Sequence, residues 1–512
     1  MPLMKSMSKI PRIRIFGFWL GAAVFLLTLF FVDLDPEKPV LTNMLAVALL
    51  MAIWWVFEVV PLAVTALLPV VLYPILGIMN GRAVSETYIN HIIFLFLGGF
   101  MVALAMQRWN LHKRIALRIL MITGTKPVNI LLGFMFASAF LSMWISNTAT
   151  TMMLLPILLS VANKLQESIG AKKADRFVIG LLLGVAYSAS IGGVATLVGT
   201  PPNPMFVKIF EIMFPKGPEI NFVDWFIFAL PISFALFIST WLFLYLMYSR
   251  HLKGVNISKS TFRNQYKALG KPTFEERIVL LDFVLLGLAW LTRAPLHVGN
   301  FTLPGWSQLF RHPEFFNDGT VAMVLALPLY IFPTKDGNSR YIMNWEYSKQ
   351  LPWNIVLLFG GGFALAQGFK DSGLSIWFGE QLVGLSGIHP VFMILSIALL
   401  MTFLTELTSN TATTQIILPV LASLAVSIHI NPLLLMMPAT VSASMAFMLP
   451  VATPPNAIVF GSNKISVMQM AKTGLLLNLL GAIVVTLMTY FWGVSVFHID
   501  INTIPDWAVI AN

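Results

Sequence analysis

The sequence predicts an all-α polytopic membrane protein of about eleven transmembrane helices plus two re-entrant hairpins, arranged as two inverted-topology repeats. Three observations carry that expectation. Of 512 residues, 57% are hydrophobic and 11% charged, against roughly 25% charged in a soluble domain. Windows free of Asp, Glu, Lys and Arg recur along the chain, among them 127–163, 177–207 and 407–463, and about 20 helical residues cross a hydrocarbon core. The segment SNTATTMMLLPIL at 146–158 returns as SNTATTQIILPVL at 409–421, identical at 9 of 13 positions. A soluble enzyme, a disordered chain and a secreted module are excluded. With no cysteine in the chain, structural disulfides, thiolate metal sites and thiol redox chemistry are excluded as well.

Taken in order, residues 1–38 form a basic tail (Lys5, Lys9, Arg12, Arg14) and a first span with no small-residue cleavage site, so the span is expected to be retained. Residues 39–249 form the first inverted repeat. Within it, 108–126 mixes basic and apolar residues at helical spacing and reads as a helix lying on the membrane surface. It precedes a re-entrant hairpin at about 127–163 and a broken helix at about 177–214. The linker 250–277 holds seven basic residues and reads as a solvated cytoplasmic segment. A seventh span and external loop occupy 278–317. The second inverted repeat, 318–497, repeats the plan with a surface helix at 370–388, a hairpin at about 390–428 and a broken helix at about 432–463. Residues 498–512 form an external C-terminal tail.

Orientation follows from the basic residues. With the N-terminus cytoplasmic, 25 Lys and Arg fall on the cytoplasmic side and 7 outside. The split survives only if both hairpins enter and leave on one side. This places the chain in a bilayer such as a bacterial inner membrane, with the C-terminus outside.

The repeat extends beyond the SNTATT segments. At the same offset of 263, FLGGF (96–100) matches FGGGF (359–363), and at 253, GTPPN (199–203) matches ATPPN (452–456). Five crossings separate the two SNTATT copies, an odd number, so the second copy faces the opposite side. Inverted repeats with motifs at membrane depth are characteristic of secondary transporters.

The motifs also define a chemistry. Ser146, Asn147 and Thr148, with Ser409, Asn410 and Thr411, sit inside apolar runs where lipid offers no hydrogen bonds, so protein or ligand must satisfy them. Single small polar residues often only join helices, but a duplicated set at two hairpin tips points to a site. Thr200-Pro201 and Thr453-Pro454 read as mid-span breaks, Thr capping a half-helix and Pro opening it. Four half-helix N-termini of about +0.5 each would then present about +2, which suits a dianion without a buried Arg. Free carbonyls with Ser, Thr and Asn oxygens form a neutral cage suited to an alkali cation such as sodium. The sequence contains no ATP-binding motif and no His/Asp/Glu cluster for a transition metal.

At these residues the chain resembles the divalent anion/sodium symporter family, the INDY-like dicarboxylate and citrate transporters. The paired SNT motifs, the paired TPPN breaks and the repeat spacing carry the resemblance over about residues 40–497. It implies one sodium site at Ser142, Ser146, Asn147 and Gly199 and a second at Thr405, Ser409, Asn410 and Ala452. Ala452 replaces the glycine of the first copy, and only its backbone carbonyl is needed. Substrate carboxylates would be held by Ser146, Asn147, Thr148, Thr200, Pro201, Ser409, Asn410, Thr411, Thr453 and Pro454. The resemblance further implies a homodimer embedded in lipid, whose scaffold (spans 1–4 and 7–9) stays fixed while a transport domain moves as an elevator. Sodium would be co-transported with no organic cofactor, and no nucleic-acid partner is expected.

The expected function is sodium-coupled uptake of succinate, malate or fumarate. The alternatives are a sodium-independent exchanger or a citrate or sulfate carrier. An intramembrane hydrolase would need a general base beside its nucleophile, and only Glu406 and His429 are near, in one copy only. A passive channel is a third class, marked by unitary currents rather than saturable uptake.

Overall fold

The computed structural model describes residues 11–252, 260–298, 301–335, 337, 339–382, 384, 387–501 and 503–509. Lys5, Lys9, Lys253 and Lys259 of the basic tail and linker lie outside these residues. In the first half, α1 (Arg12–Phe31) pairs with α2 (Pro39–Val56), which opens on a proline. The next span is split into α3 (Leu62–Thr65) and α4 (Leu68–Ile75). Short α5 (Gly81–Glu86) leads to α6 (His91–Arg108), which starts where the Asn90 side chain accepts the amides of Ile92 and Ile93. The amphipathic α7 (Leu111–Thr123) follows. The hairpin arms are α8 (Pro127–Ser142) and α9 (Asn147–Ile169), and the broken helix is α10 (Ala171–Val194) with α11 (Pro202–Met213). A capping box of Asn221 and Asp224 begins α12 (Phe222–Leu244).

The linker carries α13 (Ser260–Ala268), and α14 (Phe274–Leu291) starts four residues before the expected span, at a capping box of Thr273 and Glu276. Here the solvated-linker expectation needs correction at its end, because Glu275 and Glu276 are buried. Arg114 of α7 reaches Glu276 at 2.9 Å and donates to Gly270 O at 3.0 Å, while Lys335 N donates to Glu275 at 2.6 Å. A buried carboxylate needs such partners, so the surface helix is fastened to the linker's end rather than merely lying beside it. His112 in the same helix is also buried, with Nδ1 3.0 Å from Met106 O. Burial pushes its ring down to about 4, a shift the Met106 carbonyl opposes.

The loop between α14 and the next helix departs from an all-α chain with an antiparallel pair, β1 (Leu296–Val298) and β2 (Phe301–Leu303). The second half then runs through α15 (Asp318–Ala326), short α16 (Trp345–Ser348), α17 (Trp353–Ser372) and α18 (Leu374–Leu382). The second hairpin is α19 (Pro390–Leu407) and α20 (Asn410–Ser427), and the second broken helix is α21 (Leu433–Ala443) and α22 (Pro454–Phe460). The chain closes with α23 (Val467–Met488), capped by Ser466 and Gln469, and the short α24 (Val494–Val496).

Nine described helices or helix runs are long and apolar enough to cross a bilayer. That number differs from eleven for a physical reason. Hairpin arms such as α19 and α20 reach spanning length, while spans split by breaks fall into shorter pieces such as 62–75 and 433–443. The unbroken α14 and α17 are less apolar, α14 through Glu275, Glu276, Arg277 and Asp282 and α17 through its glycines and polar ends. With each broken helix counted once and each hairpin set apart, the elements fill eleven crossings and two hairpins. Large apolar side chains such as Phe31, Ile75 and Leu281 point outward, as lipid-facing residues do. The glycine run of α17 permits close packing: a Cβ on Gly362 would sit 2.3 Å from the Gln415 amide of α20.

Candidate functional site

The site is built from two hairpin tips and two helix breaks. In the first hairpin, residues 143–146 turn the chain, and Ser146 caps α9 by accepting Ala149 N at 3.2 Å. Ser142, the last residue of α8, donates its hydroxyl to Asn147 Oδ1. The second tip repeats the pattern. Thr405 Oγ1 lies 2.5 Å from Asn410 Oδ1 and 3.0 Å from Ala443 O, and Ser409 occupies the cap of α20 with no side-chain cap bond. Thr148 and Thr411 carry no hydrogen bond to other described residues in their side chains. Ser146, Asn147, Thr148, Ser409 and Asn410 are half-buried, so a ligand can reach them.

The breaks behave unequally. Thr453 is extended (φ −138°, ψ 150°), accepts Asn456 N at 3.3 Å and is followed by Pro454 at the first helical position, as expected. The expectation for Thr200 requires correction. α11 begins at Pro202, Pro201 takes the cap position with helical dihedrals (φ −54°, ψ −37°), and no side chain caps the end. The cause is that residues 195–201 coil in successive turns, with Ala195 N on Gly192 O at 3.0 Å and Asn203 N on Thr200 O at 3.2 Å. Thr200 is thereby freed, and its hydroxyl lies 3.5 Å from that of Ser444 in the second break. Tyr187 of α10 also donates to Phe447 O at 2.8 Å. These contacts bring the two breaks together, and the helices pack crosswise, α9 on α22 and α20 on α11.

Neutral oxygens gather at each tip. A Cβ built on Gly193 would meet Asn147 Oδ1 at 2.8 Å and Gly199 O at 3.0 Å, so Ser142, Asn147 and Gly199 present oxygens around one small space. The segments 143–148, 193–203, 405–414 and 443–456 contain no Lys or Arg, and no group of three His, Asp or Glu is found among the described residues. Hard, neutral oxygen donors suit an alkali cation rather than a transition metal.

The family model described as the sodium:sulfate symporter transmembrane region matches residues 19–499. The chain belongs to that family. A protein named sodium-dependent dicarboxylate transporter SdcS from Staphylococcus saprophyticus is 42% identical over 495 residues, covering 96% of this chain and 93% of its own. The protein of the same name from Staphylococcus aureus is 44% identical over 498 residues, again 96% and 93%. Two solved transporters share the fold. The Alcanivorax borkumensis YdaH transporter aligns at TM-score 0.56 and 12% identity, over 95% of this chain and 99% of that one. Neisseria gonorrhoeae MtrF aligns at 0.54 and 11%, over 80% and 83%.

In this sodium:sulfate symporter family member, several residues beside the site escaped the sequence reading. The sequence offers Glu406 only as an unduplicated carboxylate and candidate general base, without showing what holds it. It is buried, and its carboxylate accepts Met448 N at 2.8 Å, Leu449 N at 3.0 Å and Asn478 Nδ2 at 2.8 Å. Met143 occupies the matching place in the first copy. Gln415 and Ser444 are also unduplicated, so self-similarity could not find them. Asn203 and Asn456 did recur at the end of each break motif, a signal that was available.

Proposed function

We propose that the chain is a sodium-coupled carrier taking up small dicarboxylates such as succinate, malate or fumarate. One observation supports this above the others: two neutral oxygen sets, around Asn147 and Asn410, flank half-helix N-termini from both repeats, with no cationic side chain in those segments. The SdcS relatives, named as sodium-dependent dicarboxylate transporters, favour the same reading, and transport rather than catalysis is the activity.

Sodium would bind at Ser142, Ser146, Asn147 and Gly199, and again at Thr405, Ser409, Asn410 and Ala452. The substrate carboxylates would engage Ser146, Asn147, Thr148, Ser409, Asn410 and Thr411, with the breaks at Thr200-Pro201 and Thr453-Pro454. Three half-helices of 23, 12 and 18 residues supply about +0.5 each at their N-termini, and the seven-residue α22 supplies less. The fixed partial charge therefore falls short of +2, and bound sodium completes the balance for a dianion. That shortfall gives a reason for coupling: without the cations the dicarboxylate is under-compensated.

In this reading the protein is a homodimer in a bacterial inner membrane, N-terminus cytoplasmic and C-terminus outside. Spans 1–4 and 7–9 act as scaffold, and the hairpins with the broken helices carry substrate by an elevator motion. The test is uptake of labelled succinate into proteoliposomes. A sodium gradient should drive accumulation, and equal uptake in choline buffer would replace symport by exchange. Citrate or sulfate outcompeting succinate would change the substrate and keep the carrier.

A further inference from the structure

Both break motifs end in an asparagine that substrate and cation binding leave without a role. In an unbroken helix the carbonyls of Gly193, Val194 and Thr196 would accept amides four residues on. α10 stops at Val194, so these acceptors lose their regular helical amides inside an apolar protein, although Val194 O also accepts Trp225 Nε1 at 3.0 Å and Thr196 O accepts Gly199 N at 3.4 Å. Asn203 Nδ2 meets all three, at 3.2, 3.1 and 2.7 Å. In the second break Asn456 Nδ2 meets Ala446 O at 3.0 Å and Leu449 O at 3.0 Å. The offset of 253 carries Asn203 to Asn456, Gly193 to Ala446 and Thr196 to Leu449. The same side-chain bonds are thus made twice, by residues 0% and 1% exposed.

The prolines complete the device. Pro201, Pro202, Pro454 and Pro455 have no N–H to give. The next amides turn elsewhere, Asn203 N to Thr200 O and Asn456 N to Thr453 Oγ1. Among the described residues, no hydrogen bond is donated to Gly199 O or Ala452 O. An acceptor in that position, surrounded by carbonyls already satisfied, is open to a cation.

We propose that Asn203 and Asn456 are positioning residues for the two cation cradles: each amide gathers the stray carbonyls of its own break and leaves Gly199 O and Ala452 O presented to sodium. The proposal rests on the sodium-coupled reading and adds to it an unequal dependence of the two cradles. Both breaks have further anchors, Trp225 Nε1 on Val194 O and Thr196 Oγ1 on Met143 O in the first and Glu406 on Met448 N and Leu449 N in the second, but Asn203 meets three carbonyls where Asn456 meets two. Losing Asn203 should therefore cost more than losing Asn456.

The experiment measures the sodium dependence of succinate uptake by the full chain in proteoliposomes, with Asn203→Ala and Asn456→Ala. Several lost hydrogen bonds should raise the sodium half-saturation about tenfold or more for Asn203→Ala and roughly threefold for Asn456→Ala. Succinate KM at saturating sodium should stay near its original value in both. If Asn203→Ala is not recovered folded, Asn203→Ser, which keeps one donor, carries the test and should give an intermediate shift. An unchanged sodium half-saturation with only a lower yield of folded protein would overturn the proposal, because a merely structural amide would behave that way. Sodium-independent uptake by the unsubstituted chain would instead remove the coupled reading, and the proposal with it.

Discussion

Gly193→Ala adds one methyl beside the first oxygen set, and its consequence can be worked from distances. The new carbon would lie 2.8 Å from Asn147 Oδ1 and 3.0 Å from Gly199 O, where ordinary contact begins at 3.4 Å. Either oxygen must then give by about 0.5 Å, and both are candidate sodium ligands. Overpacking of this kind costs about 1–3 kcal/mol. If that cost falls on the cation-bound state, the sodium half-saturation for succinate uptake rises by about 5- to 150-fold. Position 446, the counterpart in the second repeat, already holds Ala, so Ala446→Gly is the control and should not weaken sodium. Two assays check this: sodium activation of uptake in proteoliposomes, and the sodium-induced rise in unfolding temperature, which reports binding without transport. Unchanged values for Gly193→Ala in both would refute the placement of a cation between Asn147 and Gly199.

The two hairpin asparagines should be equivalent in effect: Asn147→Ala or Asn410→Ala abolishes succinate uptake while the protein still elutes folded, and near-normal uptake by either would remove that half-site. In a competition panel against labelled succinate, malate and fumarate should compete well and lactate poorly, because a monocarboxylate leaves half the site unpaired at a cost of about 1–3 kcal/mol. Citrate should improve as pH falls and its dianion grows. His112 gives a pH-dependent stability whose sign is fixed by its lowered value. The unfolded ring takes up a proton near 6.5 and the folded ring only near 4. Stability is therefore full above about pH 6.5 and is lost as pH falls toward 4, by about 3 kcal/mol in total. His112→Asn, which keeps a donor for Met106 O, should flatten that part of the unfolding profile.

The duplicated features were legible because duplication is visible without coordinates. The hairpin tips, their Ser/Thr–Asn pairs and the proline breaks all fell where the offsets of 263 and 253 put them. The one-residue shift at Pro201 was not legible, since it depends on residues 195–201 coiling instead of extending, and both outcomes satisfy the same Thr-Pro-Pro sequence. The Arg114–Glu276 pair was also invisible. Charge counting treats a linker carboxylate as solvated, whereas here a first-turn Glu is buried by a helix more than 150 residues away in sequence. The convergence of the breaks through Thr200 and Ser444 is tertiary, and Ser444 has Ile191 as its counterpart, so no repeat search could find it.

What the halves share and where they differ divides the work of the site. The tips are chemically matched: a hydroxyl at 142 or 405 meets the amide oxygen at 147 or 410. The breaks are not matched, spanning residues 195–201 in one copy and 444–453 in the other. A longer unwound stretch strands more backbone N–H groups in an apolar interior, where each must find an acceptor. Glu406 supplies one, taking Met448 N and Leu449 N with its two oxygens, while Asn478 donates to the carboxylate from α23. The shorter first break needs no such acceptor, and Met143 suffices at that position. The carboxylate in one copy therefore follows from the length of the break it holds, not from acid–base chemistry. The tips share Ser-Asn-Thr at 146–148 and 409–411 but differ at 142–145 and 405–408 and in the cap bond that Ser146 makes and Ser409 lacks, so the two cation cradles are unequal at their tips as well as in the length of their breaks.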